Sequence, residues 1–165
     1  MPRPSHRVDL LFVPTSLTLV PDAAAFDALK QAWTTEGRIG AGADPDRIVL
    51  GGFRRLWLDL PGRLTLYANQ QGGYYVRCPV DGGNIVPAFS AAVQGWRGGG
   101  GFSLTCTSCG ALHSLDAVTL APPGAFAQGA VVLSNVGGLT LAEGVAARLS
   151  AVLGGSHREV VRRVV

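Results

Sequence analysis

The chain has 165 residues, of which 47% are hydrophobic, and carries a formal net charge of +3. This size and apolar fraction suffice for one domain with its own core, and no apolar run reaches the ~18–20 residues of a membrane span. Three cysteines are an odd number and exclude a regular secreted disulfide framework. We therefore expect a cytoplasmic protein of bacterial type without a membrane partner. Its basic residues, almost all arginine, are scattered, so the charge is weak evidence for nucleic-acid binding.

The first third of the chain predicts one strand and one helix. Residues 7–14 are an apolar run typical of a buried strand. A helix follows between Asp22, which can cap it, and Gly37, which ends it; its apolar residues recur at helical spacing. The stretch 38–50 is predicted to be a loop.

Three alternating segments then predict three strands. They cover 53–60, 63–69 and 74–78, with turns at 61–62 and 70–73. Because the connections are short, we expect an antiparallel meander, which would place Cys78 at the end of its third strand.

The second half of the chain alternates helices and strands. A helix is predicted over 84–96, followed by a glycine-rich hinge and a strand that ends at Cys106. A strand over 126–136, a helix over 140–153 and a strand over 157–165 predict a β-α-β unit, and Thr140 with Glu143 would form a capping box for its helix.

The elements together predict an α+β fold, with helices on one face of a mainly antiparallel sheet. We expect a single domain over 1–165 with a small insert at about 74–115.

Two short motifs in the insert are typical of a metal site. Cys106 and Cys109 form Cys-x-x-Cys-Gly, a turn that aims two thiolates at one point. Cys78 begins a matching Cys-Pro-Val-Asp-Gly turn in which Asp81 stands where a second thiol belongs. A carboxylate oxygen can ligate zinc, so the predicted Zn²⁺ ligands are Cys78, Asp81, Cys106 and Cys109.

The paired turns resemble the knuckles of the zinc-ribbon class, and the resemblance implies that the insert at about 74–115 is a zinc-ribbon-like element. The resemblance covers these four residues and their flanking glycines, and it departs from the class in the aspartate and in the long segment between the halves. His113 is an alternative fourth ligand, ranked below Asp81. Two other interpretations stay open: a degenerate ribbon whose cysteines are buried small hydrophobes, and a redox-active Cys-x-x-Cys.

The predicted function is that of a small non-enzymatic protein. The zinc site would be structural, and the protein would bind a protein partner, as immunity and adaptor proteins do. Nucleic-acid binding through the ribbon is an alternative, because Arg77 and Arg97 lie near Tyr74, Tyr75 and Trp96 in the sequence. An enzyme with an unrecognised site is a third hypothesis.

Overall fold

The computed structural model describes residues 6–69 and 74–164. The predicted turn at 70–73 lies outside these ranges, as do residues 1–5 and 165. In chain order the elements are β1 (Arg7–Pro14), α1 (Ala23–Thr35), β2 (Arg55–Asp59), β3 (Thr65–Tyr67), β4 (Tyr75–Arg77), α2 (Val86–Arg97), β5 (Ser103–Thr105), β6 (Leu112–Ser114), β7 (Thr119–Ala121), β8 (Ala125–Ala127), β9 (Ala130–Ser134), α3 (Val145–Val152) and β10 (His157–Val164). Short 3₁₀ turns cover Pro45–Arg47 and Leu115–Ala117.

Four strands form the main sheet, in the order β10-β1-β9-β2. Strand β1 is antiparallel to β10 and β9, and β2 is antiparallel to β9. It follows that β1 and β2 are parallel with β9 between them, and that β9 and β10 are parallel with β1 between them. With α1 and α3 as the connections, this is the split β-α-β order of a ferredoxin-like sandwich.

Alternating residues of the sheet face two separate apolar layers. Leu10 and Phe12 pack with the buried residues of α1 and α3, among them Trp33 and Leu149. Leu11 belongs to the layer on the opposite face, which Tyr67 and Ala127 help to cover. The predicted α+β fold, with helices against one face of a mainly antiparallel sheet, is confirmed.

Everything between β2 and β9 is an insert in this sandwich. Its strands pair as β3 with β8, β4 with β7 and β5 with β6, all antiparallel. Its own core gathers Ile85 and Phe89 around α2 with Phe126, whose ring lies 4.9 Å from the Phe102 ring and 5.5 Å from the Trp96 ring, edge to face. This insert core also contains Cys78 and Cys106, two residues of the candidate metal centre.

Three predictions about the elements are corrected. The strands β2, β3 and β4 exist, but they do not form a meander, because each pairs with a strand from the second half of the chain. The predicted strand over 126–136 is two strands that belong to different sheets. The last helix begins at Val145 and not at residue 140, because Gly144 before it has a left-handed φ of 79°.

Two termini of the other helices agree with the prediction. The Asp22 carboxylate accepts hydrogen bonds from the backbone N–H groups of Ala24 and Ala25 at 2.9 and 3.2 Å, so it caps α1. Helix α2 has Pro87 in its first turn, where a missing N–H leaves no helical hydrogen bond unmade. In the two described ranges, none of the helices has the length and apolar character that crossing a bilayer requires.

Candidate metal centre

Two turns of the insert have the same backbone hydrogen bonds. In the first, Cys78 N–H donates to Gly83 O at 2.8 Å and Gly82 N–H donates to Cys78 O at 3.0 Å. In the second, Cys106 N–H donates to Ala111 O at 2.8 Å and Gly110 N–H donates to Cys106 O at 2.9 Å. The two turns are thus knuckles of one kind, as predicted.

A glycine closes each knuckle in a conformation that other residues rarely adopt. Gly82 has a φ of 72° and Gly110 a φ of 77°. Both values lie in the left-handed region, where a Cβ atom is disfavoured. The glycine that follows the fourth position of each motif is therefore a requirement of the turn itself.

The knuckles direct backbone N–H groups at the sulfur atoms. Cys78 Sγ accepts from Val80 N–H at 3.4 Å, and Cys106 Sγ accepts from the N–H groups of Ser108 and Cys109, both at 3.4 Å. The N–H groups of Cys109 and Ser108, with the larger effect from Cys109, hold the pKa of the Cys106 thiol below its ordinary value. Burial raises the pKa of the Cys78 thiol. Donors aimed at sulfur stabilise the thiolate form, which is the form that binds metal.

Four side chains converge where the knuckles meet. One donor atom each from Cys78, Cys106, Cys109 and His113 lies within 4.8 Å of all the others, and Cys109 Sγ is 3.2 Å from His113 Nε2. Ligands of a tetrahedral zinc ion at 2.3 Å would be roughly 3.8 Å apart. The group is thus close enough to hold one metal ion.

His113 reaches this group from strand β6. The second knuckle is the turn of the β5-β6 hairpin, in which His113 pairs with Leu104. Its ring is half-buried, whereas the neighbouring Leu112 is 70% exposed, as expected from the alternation of side chains along a strand. The returning strand therefore supplies the fourth donor.

Asp81 occupies the place in the first knuckle that Cys109 occupies in the second, but it is not a member of the converging group. Its carboxylate accepts from Gly83 N–H at 2.9 Å and from the Ser108 hydroxyl, which lies 2.8 Å from each carboxylate oxygen. The Gly83 N–H and the Ser108 hydroxyl lower the pKa of Asp81. Asp81 thus closes its own turn and joins it to the other knuckle.

Of the predicted ligands, the structure brings together the three cysteines, and with them lies His113, the alternative fourth ligand that the sequence ranked below Asp81. The sequence shows that His113 lies four residues beyond Cys109. Only the pairing of β5 with β6 shows that its side chain reaches the three cysteines.

Comparisons with protein-family models, with curated proteins and with solved structures gave no significant match. The inference of function therefore rests on the chain's own geometry.

Proposed function

We propose that the Cys78, Cys106, Cys109 and His113 group holds a structural Zn²⁺ ion. The observation that carries the proposal is the convergence of three thiols and one imidazole, a donor set typical of tetrahedral zinc. Four protein ligands complete a tetrahedral shell and leave no position for water or substrate, which is the arrangement of a structural and not a catalytic zinc. This supports a non-enzymatic protein.

The ion would link two parts of the insert that are distant in sequence. Cys78 follows β4, whereas the other three donors lie in the β5-β6 hairpin. Cys78 and Cys106 are also buried members of the insert core. A metal held here would therefore fix both knuckles against the core that contains α2.

Metal retention in ligand variants tests this assignment. His113→Ala leaves three thiolates, and we expect its zinc affinity to fall by at least about tenfold, as outer-shell losses alone cost 10–100-fold. Asp81→Ala is the matched control, because it removes a carboxylate from the same centre without removing a member of the group. Competition with a zinc chelator would measure both variants against the unmodified protein.

The opposite order would overturn the assignment. If Asp81→Ala releases zinc more readily than His113→Ala, Asp81 is the ligand that the sequence alone predicts. If the unmodified protein, purified without chelator, carries much less than one zinc per chain, the ribbon is degenerate.

We further propose that the metal element binds a protein partner. Large apolar side chains of the insert are exposed close to the ligands in the sequence: Tyr75 at 58%, Val80 at 70% and Leu112 at 70%. Val80 lies between Cys78 and Asp81, and Leu112 immediately precedes His113. Exposed apolar side chains held on rigid turns are typical of interaction sites, and an immunity or adaptor function would use them in this way.

Site-specific photo-crosslinking in the cells of origin tests the partner proposal. A photoreactive residue at position 80 or 112 should give one defined protein adduct, which should be lost when His113→Ala is added. The matched control is position 139, because Leu139 is 51% exposed but lies outside the insert. Equal adducts from position 139, or none from positions 80 and 112, would contradict the proposal.

A second candidate function is nucleic-acid binding, which one contact favours. The Arg77 guanidinium lies 5.5 Å from the centre of the Tyr75 ring, and both residues are exposed beside the first knuckle. An aromatic ring with a cation can stack on a base and contact a phosphate. We expect binding to be weak and lost near physiological salt; a complex that survives there and is lost in Arg77→Gln would favour this function.

A further inference from the structure

A second candidate site lies in the sandwich, away from the metal centre. It is a surface depression of about 320 Å³ between α1, the loop that follows it and the start of β2. Ile39, Phe53 and Leu56 form an apolar floor. The arginines are scattered along the sequence, but the fold brings four cationic residues to the lining of this depression.

The cations of the depression are Lys30, Arg38, Arg54 and Arg55, and none of its described lining residues is acidic. Arg38 is already engaged, with Nε 3.1 Å from a Glu36 carboxylate oxygen. Lys30, Arg54 and Arg55 make no ion pair within the described residues. Lys30 and Arg54 are therefore uncompensated positive charges at this cavity. Arg55 alternates with Leu56 along β2, and its guanidinium lies 5.3 Å from the Trp57 ring on the other face of the sheet.

One of these cations is held by an aromatic ring. The Lys30 ammonium lies 5.7 Å from the centre of the Phe26 ring. A cation above a ring keeps its N–H donors for other acceptors. The Lys30 ammonium is thus positioned but still able to bind an anion.

The frame of the depression is braced by hydrogen bonds. Arg38 Nη1 donates to Arg47 O at 2.8 Å, and Arg47 Nη1 donates to Glu36 O. At the other wall, Arg54 N–H donates to Ser134 O in the sheet at 2.9 Å. A preformed wall reduces the entropy lost when a ligand binds.

We propose that this depression binds a phosphate-bearing small molecule with an apolar or aromatic body. The phosphate would offset the repulsion between Lys30 and Arg54, since a guanidinium group matches phosphate oxygens with paired N–H donors. The body would lie on Ile39 and Phe53. The volume lies at the lower end of the range of small-molecule pockets. This site is independent of the zinc and partner proposals.

Titration of the ¹⁵N-labelled protein with phenyl phosphate, followed by amide chemical shifts, tests the proposal. We expect saturable shifts around residues 30, 38–45 and 53–56, with inorganic phosphate weaker and phenol much weaker. Arg54→Gln and Lys30→Gln should each weaken the binding of phenyl phosphate by roughly tenfold or more, the usual effect of losing a charge-assisted hydrogen bond. Arg97→Gln, an exposed arginine in α2, is the matched control and should leave the affinity unchanged.

Three results would overturn the proposal. Phenol binding as tightly as phenyl phosphate would show that the anion contributes nothing. An equal loss in Arg97→Gln and Arg54→Gln would show nonspecific attraction to a basic protein. Shifts that do not saturate, or that lie elsewhere, would show that the depression is not the site.

Discussion

Asp9 is a charged residue in the centre of the main sheet, with no exposed surface. Its carboxylate accepts from Arg7 Nη2 and Arg162 Nη2, both at 3.2 Å, and from Asn135 N–H at 3.1 Å. The residues come from β1, from β10 and from the turn after β9. One side chain thus ties together the three adjacent strands on which the sandwich depends.

Asp9→Asn keeps the shape of the side chain but removes its charge and one acceptor oxygen. We expect a loss of about 1–3 kcal/mol in the free energy of unfolding, the typical cost of leaving buried polar partners unsatisfied. Asp27→Asn, on the exposed side of α1, is the matched control and should change stability by less than about 0.5 kcal/mol. Urea unfolding measures both variants; equal midpoints for the two would contradict the role of Asp9.

At the metal centre, the sequence was informative about the turns and less so about the donors. The Cys-x-x-Cys-Gly pattern and its aspartate variant predicted both knuckles, because their hydrogen bonds are local. Which side chains come together depends on how the strands pair. His113 is placed beside Cys109 by its pairing with Leu104 across the β5-β6 hairpin, and the Asp81 carboxylate is hydrogen-bonded to Ser108 of the other knuckle. Neither contact has a local signal.

Among the elements, the turns at 50–53 and 135–138 approach each other closely. Gly137 N–H donates to Gly52 O at 2.9 Å, and a Cβ atom on Gly137 would lie 2.1 Å from Gly51 O. Gly51 itself has a φ of 93°. Backbone packed against backbone at this distance leaves room only for glycine, and it connects the start of β2 to the end of β9.

Gly137→Ala should therefore lower the free energy of unfolding by about 1–3 kcal/mol, the usual cost of overpacking. Gly95→Ala is the control, because Gly95 is exposed within α2 and a Cβ atom there would meet nothing within 4 Å. That change should raise stability by about 0.5–1 kcal/mol, since alanine is the better helix former. Thermal unfolding measures both variants, and midpoint temperatures that shift in the same direction would contradict this account.

The two helices of the sandwich are joined by one carboxylate at the end of α1. Glu36 accepts from Arg148 Nη1 of α3 at 2.7 Å and also lies beside Arg38. The Arg148 hydrogen bond is the main cause that lowers the pKa of Glu36 below its ordinary value of 4.5. A lowered pKa means that the stabilisation is complete above about pH 4.5 and is lost as the pH falls through the folded-state pKa.

Glu36→Gln should accordingly be less stable than the unmodified protein at pH 7, by a small amount because the pair is exposed, and the difference should shrink towards pH 3. Glu159→Gln is the control, because Glu159 makes no ion pair within the described residues. Urea unfolding at both pH values is the measurement. A difference that is the same at pH 7 and pH 3 would mean that charge is not its cause.

The elements also show where pattern reading reaches its limit. Alternation and helical spacing identified β1, β2, β10, α1 and α2 close to their observed bounds, because these signals are local. Pairing is not local: β2, β3 and β4 are consecutive, yet their partners are β9, β8 and β7. The chain passes through β2, β3 and β4 and returns through β7, β8 and β9, so each strand pairs with one from the returning half. The short turns between β2, β3 and β4 led to the prediction of a meander, which was wrong.

At the scale of the whole molecule, the protein has a sandwich that does not contain the metal group and an insert that does. The sandwich layers involve α1, α3 and the four-stranded sheet, with Tyr67 and Ala127 of the insert covering the second face, whereas the insert core contains Cys78 and Cys106. The insert has only short strands besides α2. Segments of this size bury too little apolar surface to be stable without a cross-link, and a bound metal ion is one such cross-link.

Metal removal should therefore affect the two parts unequally. In chelator-treated protein we expect faster amide hydrogen exchange in β4, α2 and the β5-β6 hairpin, with β1, β9 and β10 still protected, because the free energy of local opening follows the contacts that are lost. His113→Ala in the presence of zinc should reproduce this pattern, and Asp81→Ala should do so less. Equal loss of protection in β1 and in the hairpin would show one cooperative unit that depends on the metal throughout. Unchanged exchange everywhere would mean that the insert core and the Asp81–Ser108 hydrogen bonds hold the knuckles without an ion.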